Sequence, residues 1–166
     1  MRKISIAALL AIGAATAQGQ LPVKPPLIPC AAGQNIPCVV LATKPDDVVG
    51  VWKQYSGNPA FASVGNMAFL RINLDGTFAL GVTIEGTRAS AMTLPHGTYR
   101  FEGSRMILSV QGIPPNMPEC AKAIHEVRVL RFGNQPVALS YTMLEDTCKP
   151  RIADLSQAVI YVSPNQ

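Results

Sequence analysis

Four cysteines, two histidines and ten carboxylates are the side chains with which this chain would do chemistry. The cysteines stand at 30, 38, 120 and 148. Their number is even and they lack Cys-x-x-Cys spacing, so they predict two disulfides in an oxidising compartment and no metal site. Nucleophilic catalysis needs a Ser or Cys beside a His that a third group holds. With the thiols in disulfides and no Gly-x-Ser-x-Gly elbow present, no such set emerges. His96 follows Pro95 next to a turn, and His125 falls mid-strand beside Val127 on an apolar face; both read as structural histidines. The adjacent acidic pairs Asp46-Asp47 and Glu145-Asp146 fall at strand ends, where a solvated pair is the ordinary outcome. The glycines mark turns and form no phosphate-binding loop, so no cofactor is expected. Tyr99-Arg100-Phe101 and residues 128–132 interleave basic and apolar side chains, but neighbours on a strand point to opposite faces. With a net charge of only +4, no nucleic-acid surface is expected. The residues point to binding rather than to an enzyme.

These side chains sit in 166 residues, 48% hydrophobic and 14% charged, which is enough apolar surface for one core and excludes a disordered chain. Arg2 and Lys3 precede an apolar stretch over residues 4–14, followed by Ala15-Thr16-Ala17. This is the three-part pattern of a secretory signal over residues 1–17, too short to span a bilayer. No Cys follows the cleavage site, so no stable membrane anchor is expected. The expected location is secreted or periplasmic. Without Arg2 and Lys3, twelve basic residues face ten acidic ones, leaving +2 and naming no partner by charge.

Residues 18–47 carry six prolines in thirty positions, which forbids a helix or a central strand there. They read as an extended arm with a loop closed by Cys30–Cys38. From residue 48 the pattern becomes short alternating runs separated by turn residues: 48–55, 67–73, 78–84, a weaker 89–94, 97–102, 106–110, 121–132, 136–143 and 157–162. Asp75-Gly76 and Gly103-Ser104 are hairpin signals. No window shows a 3.6-residue period. The fold class is all-β, an antiparallel up-and-down barrel of about eight strands over residues 48–163, with a tail at 164–166. A barrel removes both sheet edges; a two-layer sandwich is the alternative.

The longest hairpin fixes a register. With Gly133-Asn134-Gln135 as its loop, residue 128 faces 140 and 130 faces 138. Val127, Val129, Val137, Leu139, Tyr141 and Met143 then share an apolar face, while Glu126, Arg128, Ser140 and Thr142 share the other. The same register places Cys120 opposite Cys148, which favours that disulfide. Leu130 and Phe132 fall on the polar face and require a covering element.

Gly50-Val51-Trp52 opens the first strand after an arm and before an up-and-down β pattern. It resembles the Gly-x-Trp signature of the lipocalins and the wider calycin group. Asp75-Gly76-Thr77-Phe78, Gly97-Thr98-Tyr99-Arg100 and Asp146-Thr147-Cys148-Lys149-Pro150-Arg151 are similar to segments of small exported bacterial lipocalin-like proteins. The resemblance implies that Gly50 and Trp52 close one end of the barrel and that Arg151 packs across the indole. It also implies a flanking helix, here reduced to a turn over residues 149–155, and a shallow cup.

Two binding modes follow. A small apolar molecule sits in the cup, lined by Phe69, Phe78, Leu80, Tyr99, Phe101, Leu139 and Tyr141, or these side chains fill the interior themselves. Alternatively, residues 18–46 dock on a partner protein, a plan that resembles the small exported barrels that inhibit bacterial metalloproteases. A calycin-type enzyme is the third reading.

Overall fold

A computed structural model describes residues 24–31, 33, 35–88, 94–157 and 159–163. The signal segment expected over 1–17, the tail 164–166 and most of the weak strand expected over 89–94 lie outside the described residues. Among the described residues nine strands run β1 Pro37–Leu41, β2 Gly50–Tyr55, β3 Met67–Ile72, β4 Thr77–Gly81, β5 His96–Glu102, β6 Arg105–Gln111, β7 Lys122–Phe132, β8 Gln135–Glu145 and β9 Val159–Ser163. The helix α1 (Lys149–Leu155) precedes β9, and short 3-10 turns punctuate the connections. Among the described residues no helix is long and apolar enough to cross a membrane.

Strands β2 to β9 close into an antiparallel eight-stranded barrel, since β9 bonds both β8 and β2. The remaining neighbours pair in sequence order. Closure satisfies the backbone without leaving an edge in the ring. Alternation along each strand sends one set of side chains inward: Trp52 and Gln54 from β2, Leu70 and Ile72 from β3, Phe78 and Leu80 from β4. Tyr99 and Phe101 from β5 meet Leu108 and Met106 from β6, and Met106 faces His125 of β7.

The β7–β8 register agrees with the sequence reading over its middle, where Arg128 faces Ser140 and Leu130 faces Ala138. It shifts at both ends. The turn is two residues, Gly133-Asn134, so Phe132 faces Gln135 instead of Pro136, and irregularities follow between Leu130 and Arg131 and between Ile124 and His125. The first bulge turns Val137 out of the apolar face, and it is exposed.

The arm supplies the covering element that the sequence demanded. Strand β1 pairs with residues 128–132 of β7, and Ile28 bridges to Val39. Arg128, buried on the nominally polar face, donates to the Pro25 carbonyl and to Glu126 Oε1, while Lys24 approaches Glu126 at 3.7 Å. Leu130 becomes half-buried beneath this layer, whereas Phe132 stays exposed at the hairpin tip. The prolines exclude a central strand and permit an edge strand, which is what β1 is.

Gly50 opens β2 with φ +149°, and a Cβ there would lie 2.8 Å from Tyr161 Cε2. The Tyr161 ring in turn meets Trp52 edge-on at 5.0 Å. Gly50→Ala is therefore expected to destabilise the fold by about 1–3 kcal/mol through backbone strain and displacement of that ring, measured by urea denaturation.

Candidate functional site

The barrel interior is filled in one part and hollow in another. Trp52, Val48, Ala42, Val129, Leu139 and Val159 are fully buried and pack as core. The Trp52 indole N–H donates to the Val48 carbonyl at 2.9 Å, so its one polar atom is satisfied. The rest of the barrel holds a cavity of about 320 Å³, whose wall is mostly apolar, with Leu70, Ile72, Phe78, Leu80, Met106 and Val110 among its side chains. It reaches the surface at the exposed residues Gly57, Pro59, Pro114 and Pro150.

Of the seven residues expected to line a cup, Phe78, Leu80 and Tyr141 do so. Tyr99 and Leu139 belong to the packed core, and Phe101 packs against it from a half-buried position. The Tyr99 hydroxyl is committed to the Asn73 carbonyl at 2.6 Å, and burial pushes it up to about 12. Phe69 is a correction. It alternates with Leu70 on β3 and faces Lys53 across β2, so it lies on the outer face. Burial raises the Tyr141 hydroxyl as well, and its ring stands edge-on to His125 at 5.8 Å.

The polar part of the wall is built by β7, β8 and the start of α1. His125 is fully buried, and its Nε2 lies 2.7 Å from Asp146 Oδ2. The Asp146 side chain is also sealed from solvent. Arg151 grips the same carboxylate with both prongs, Nε to Oδ2 and Nη2 to Oδ1, each at 2.7 Å. It also donates to the carbonyls of Cys120 and Lys122, and the Cys148 N–H donates to Asp146 Oδ1. Burial alone would raise the Asp146 carboxyl. The hydrogen bonds from His125, Arg151 and Cys148, together with the guanidinium charge, outweigh it and hold the carboxyl well below the usual carboxylate range.

Two expectations are overturned here. The Glu145-Asp146 pair is not a solvated one: Glu145 does reach outward to Arg105, but Asp146 is the centre of a buried network. Arg151 serves that network, and Tyr161 takes the place beside Trp52 that the resemblance gave to Arg151. The helix that carries Arg151 starts at Lys149, three residues after Asp146, so the guanidinium meets the nearer carboxylate.

Both disulfides form, Cys30–Cys38 and Cys120–Cys148. Such bonds persist in an oxidising environment. Cys120 and Cys148 line the cavity beside Arg151.

Gln54 and His125 are among the lining residues, and Gln54 Oε1 and His125 Nδ1 are buried behind the cavity wall without a hydrogen-bond partner. Gln54 was not singled out from the sequence, although it alternates with Trp52 and therefore shares the inward face. Ser56 also lines the cavity, but its hydroxyl donates to Asp154 Oδ2 at 2.9 Å, so no Ser–His nucleophile is assembled. Among the described residues no three His, Cys, Asp or Glu side chains converge to hold a metal ion.

No protein-family model, no curated protein and no solved structure matches this chain. Fold and site together define a class: a disulfide-bearing, closed eight-stranded antiparallel barrel with an apolar cup sunk into one part of its interior.

Proposed function

We propose that this is an exported, lipocalin-like binding protein that holds a small, mostly apolar molecule in the cup. The observation that carries the reading is the cavity itself, an apolar hollow of about 320 Å³. Small-molecule sites have this composition, and the volume lies at the lower end of their range of about 300–1,000 Å³. A barrel whose only task was rigidity gains from filling such a void, because close packing is the more stable state. The packed part around Trp52 shows that this sequence can fill its interior where it does so. The two disulfides and the leader pattern support export.

The test is titration of the purified protein with fatty acids, retinoids and polarity-sensitive dyes. A ligand present at a hundred times its Kd is expected to add about 2.7 kcal/mol, a rise of about 5–10 °C in Tm. Absence of saturable binding across the panel, with an unchanged Tm, would refute the reading.

A further inference from the structure

Among the described residues, the ionisable side chains of the cup wall are His125, Tyr141, Arg151 and Asp154. His125 and Arg151 are both spent on Asp146, and the Tyr141 ring is buried against His125. Asp154 stands apart from them. It belongs to α1, is half-buried, and accepts from the Ser56 hydroxyl through Oδ2 at 2.9 Å and from the Gly57 N–H through Oδ1 at 2.8 Å. Ser56 and Gly57 line the cavity as well, and Gly57 is one of the exposed residues at which it reaches the surface. These bonds set the carboxylate at the mouth of the cup.

Its two partners are neutral, and among the described residues Asp154 forms no ion pair. The other well-covered carboxylates do: Asp146 holds Arg151, and Glu126 holds Arg128 and Lys24. A carboxylate has about four acceptor sites, so two bonds leave each oxygen with capacity to spare. The cup is thus an apolar hollow of about 320 Å³ with one unpaired negative charge at its rim. Apolar neighbours thin the water there, and a charge pair gains more than it would on open surface.

Building on the reading of the cup as a ligand site, we infer that its ligand is an amphiphilic cation: a compact apolar body that fills the hollow, with a primary ammonium head that stays at the mouth and bonds Asp154. The head keeps part of its hydration at the rim and donates to the carboxylate, which only accepts. An alcohol of the same body offers a donor without the charge. A carboxylate head meets Asp154 with like charge, and the guanidinium of the wall already holds Asp146.

The experiment compares octylamine, 1-octanol and octanoate on the full protein at neutral pH, read by displacement of a polarity-sensitive dye and by Tm. Octylamine is expected to bind about 10-fold more tightly than 1-octanol, with octanoate the weakest of the three. Asp154→Asn keeps the shape and an acceptor for the Gly57 N–H but removes the charge, and it is expected to bring the amine-to-alcohol ratio close to one. Equal affinities in the unaltered chain, a preference for octanoate, or an amine advantage that survives Asp154→Asn would overturn this inference while the cup remained a binding site. Failure of the dye and of all three compounds to bind would instead remove the ligand site itself, and the inference with it. Should Asp154→Asn not fold, salt decides on the unaltered chain: the amine advantage is expected to shrink as ionic strength rises, and an advantage indifferent to salt would overturn the pairing.

Discussion

Arg151→Met is expected to cost about 3–5 kcal/mol of stability, the usual loss when one partner is removed from a buried charge pair. The substitution leaves Asp146, sealed from solvent, with the His125 ring and one backbone N–H, and without the guanidinium charge opposite it. It also releases the Cys120 and Lys122 carbonyls that the guanidinium holds. The measurement is a urea midpoint, with an unchanged m-value showing that the denatured state is not the cause. A loss below about 1 kcal/mol would mean that the guanidinium behaves as an exposed one. The same network sets the acid limit of the fold. The Asp146 carboxyl is held below its ordinary range when folded, so it contributes stability above the unfolded-state value of about 3.9 and loses that contribution as the pH falls from there toward the folded value. Asp146→Asn is expected to flatten this acid limb, and a denaturation series against pH would show it.

Removing the Cys120–Cys148 bond by a double substitution to Ala is the second large effect. Its sequence separation is 28, for which loop-closure entropy gives about 3.5 kcal/mol, against about 2.5 kcal/mol for Cys30–Cys38 with a separation of 8. The two large effects are not independent. Cys120 gives its carbonyl to Arg151 and Cys148 gives its N–H to Asp146, so the disulfide and the ion pair hold one corner of the barrel together. The triple variant is therefore expected to lose less than the sum of the two losses, with a coupling of about 0.5–3 kcal/mol in a denaturation cycle. Additive losses would show that the corner is two separate devices.

Much of the fold was legible because strand alternation and turn chemistry are local signals. Asp75-Gly76 and Gly103-Ser104 marked hairpins that form, and the parity of the longest hairpin placed Cys120 against Cys148. Legibility failed where a side chain's fate depends on which face closes inward. Phe69 and Leu70 are equally apolar neighbours, and nothing in residues 67–73 alone says which one the barrel encloses; the pairing of Leu70 with Trp52 decides it. The cup suffered the same limit. Gln54 was visible as a polar residue in step with Trp52, but its meaning depends on the void that Phe78, Met106 and Val110 leave around it. Asp146 looked like half of a surface acidic pair because its partner His125 stands 21 residues away and Arg151 reaches it only after the chain turns into α1. A two-residue bulge pattern at the ends of β7 and β8 is likewise set by tertiary closure rather than by the local sequence.

The long hairpin carries a further consequence. Along the edge of β7 that β6 occupies only at residues 122–126, the next stretch, 128–132, would present bare amide and carbonyl groups, but β1 takes it up. That strand begins at Pro37, which has no N–H to offer, and its outer side is crossed by Ile28 behind a disulfide. The arm thus works as a blunting device against self-association: it ends a ladder that would otherwise invite a second molecule to add its own strand and seed fibres.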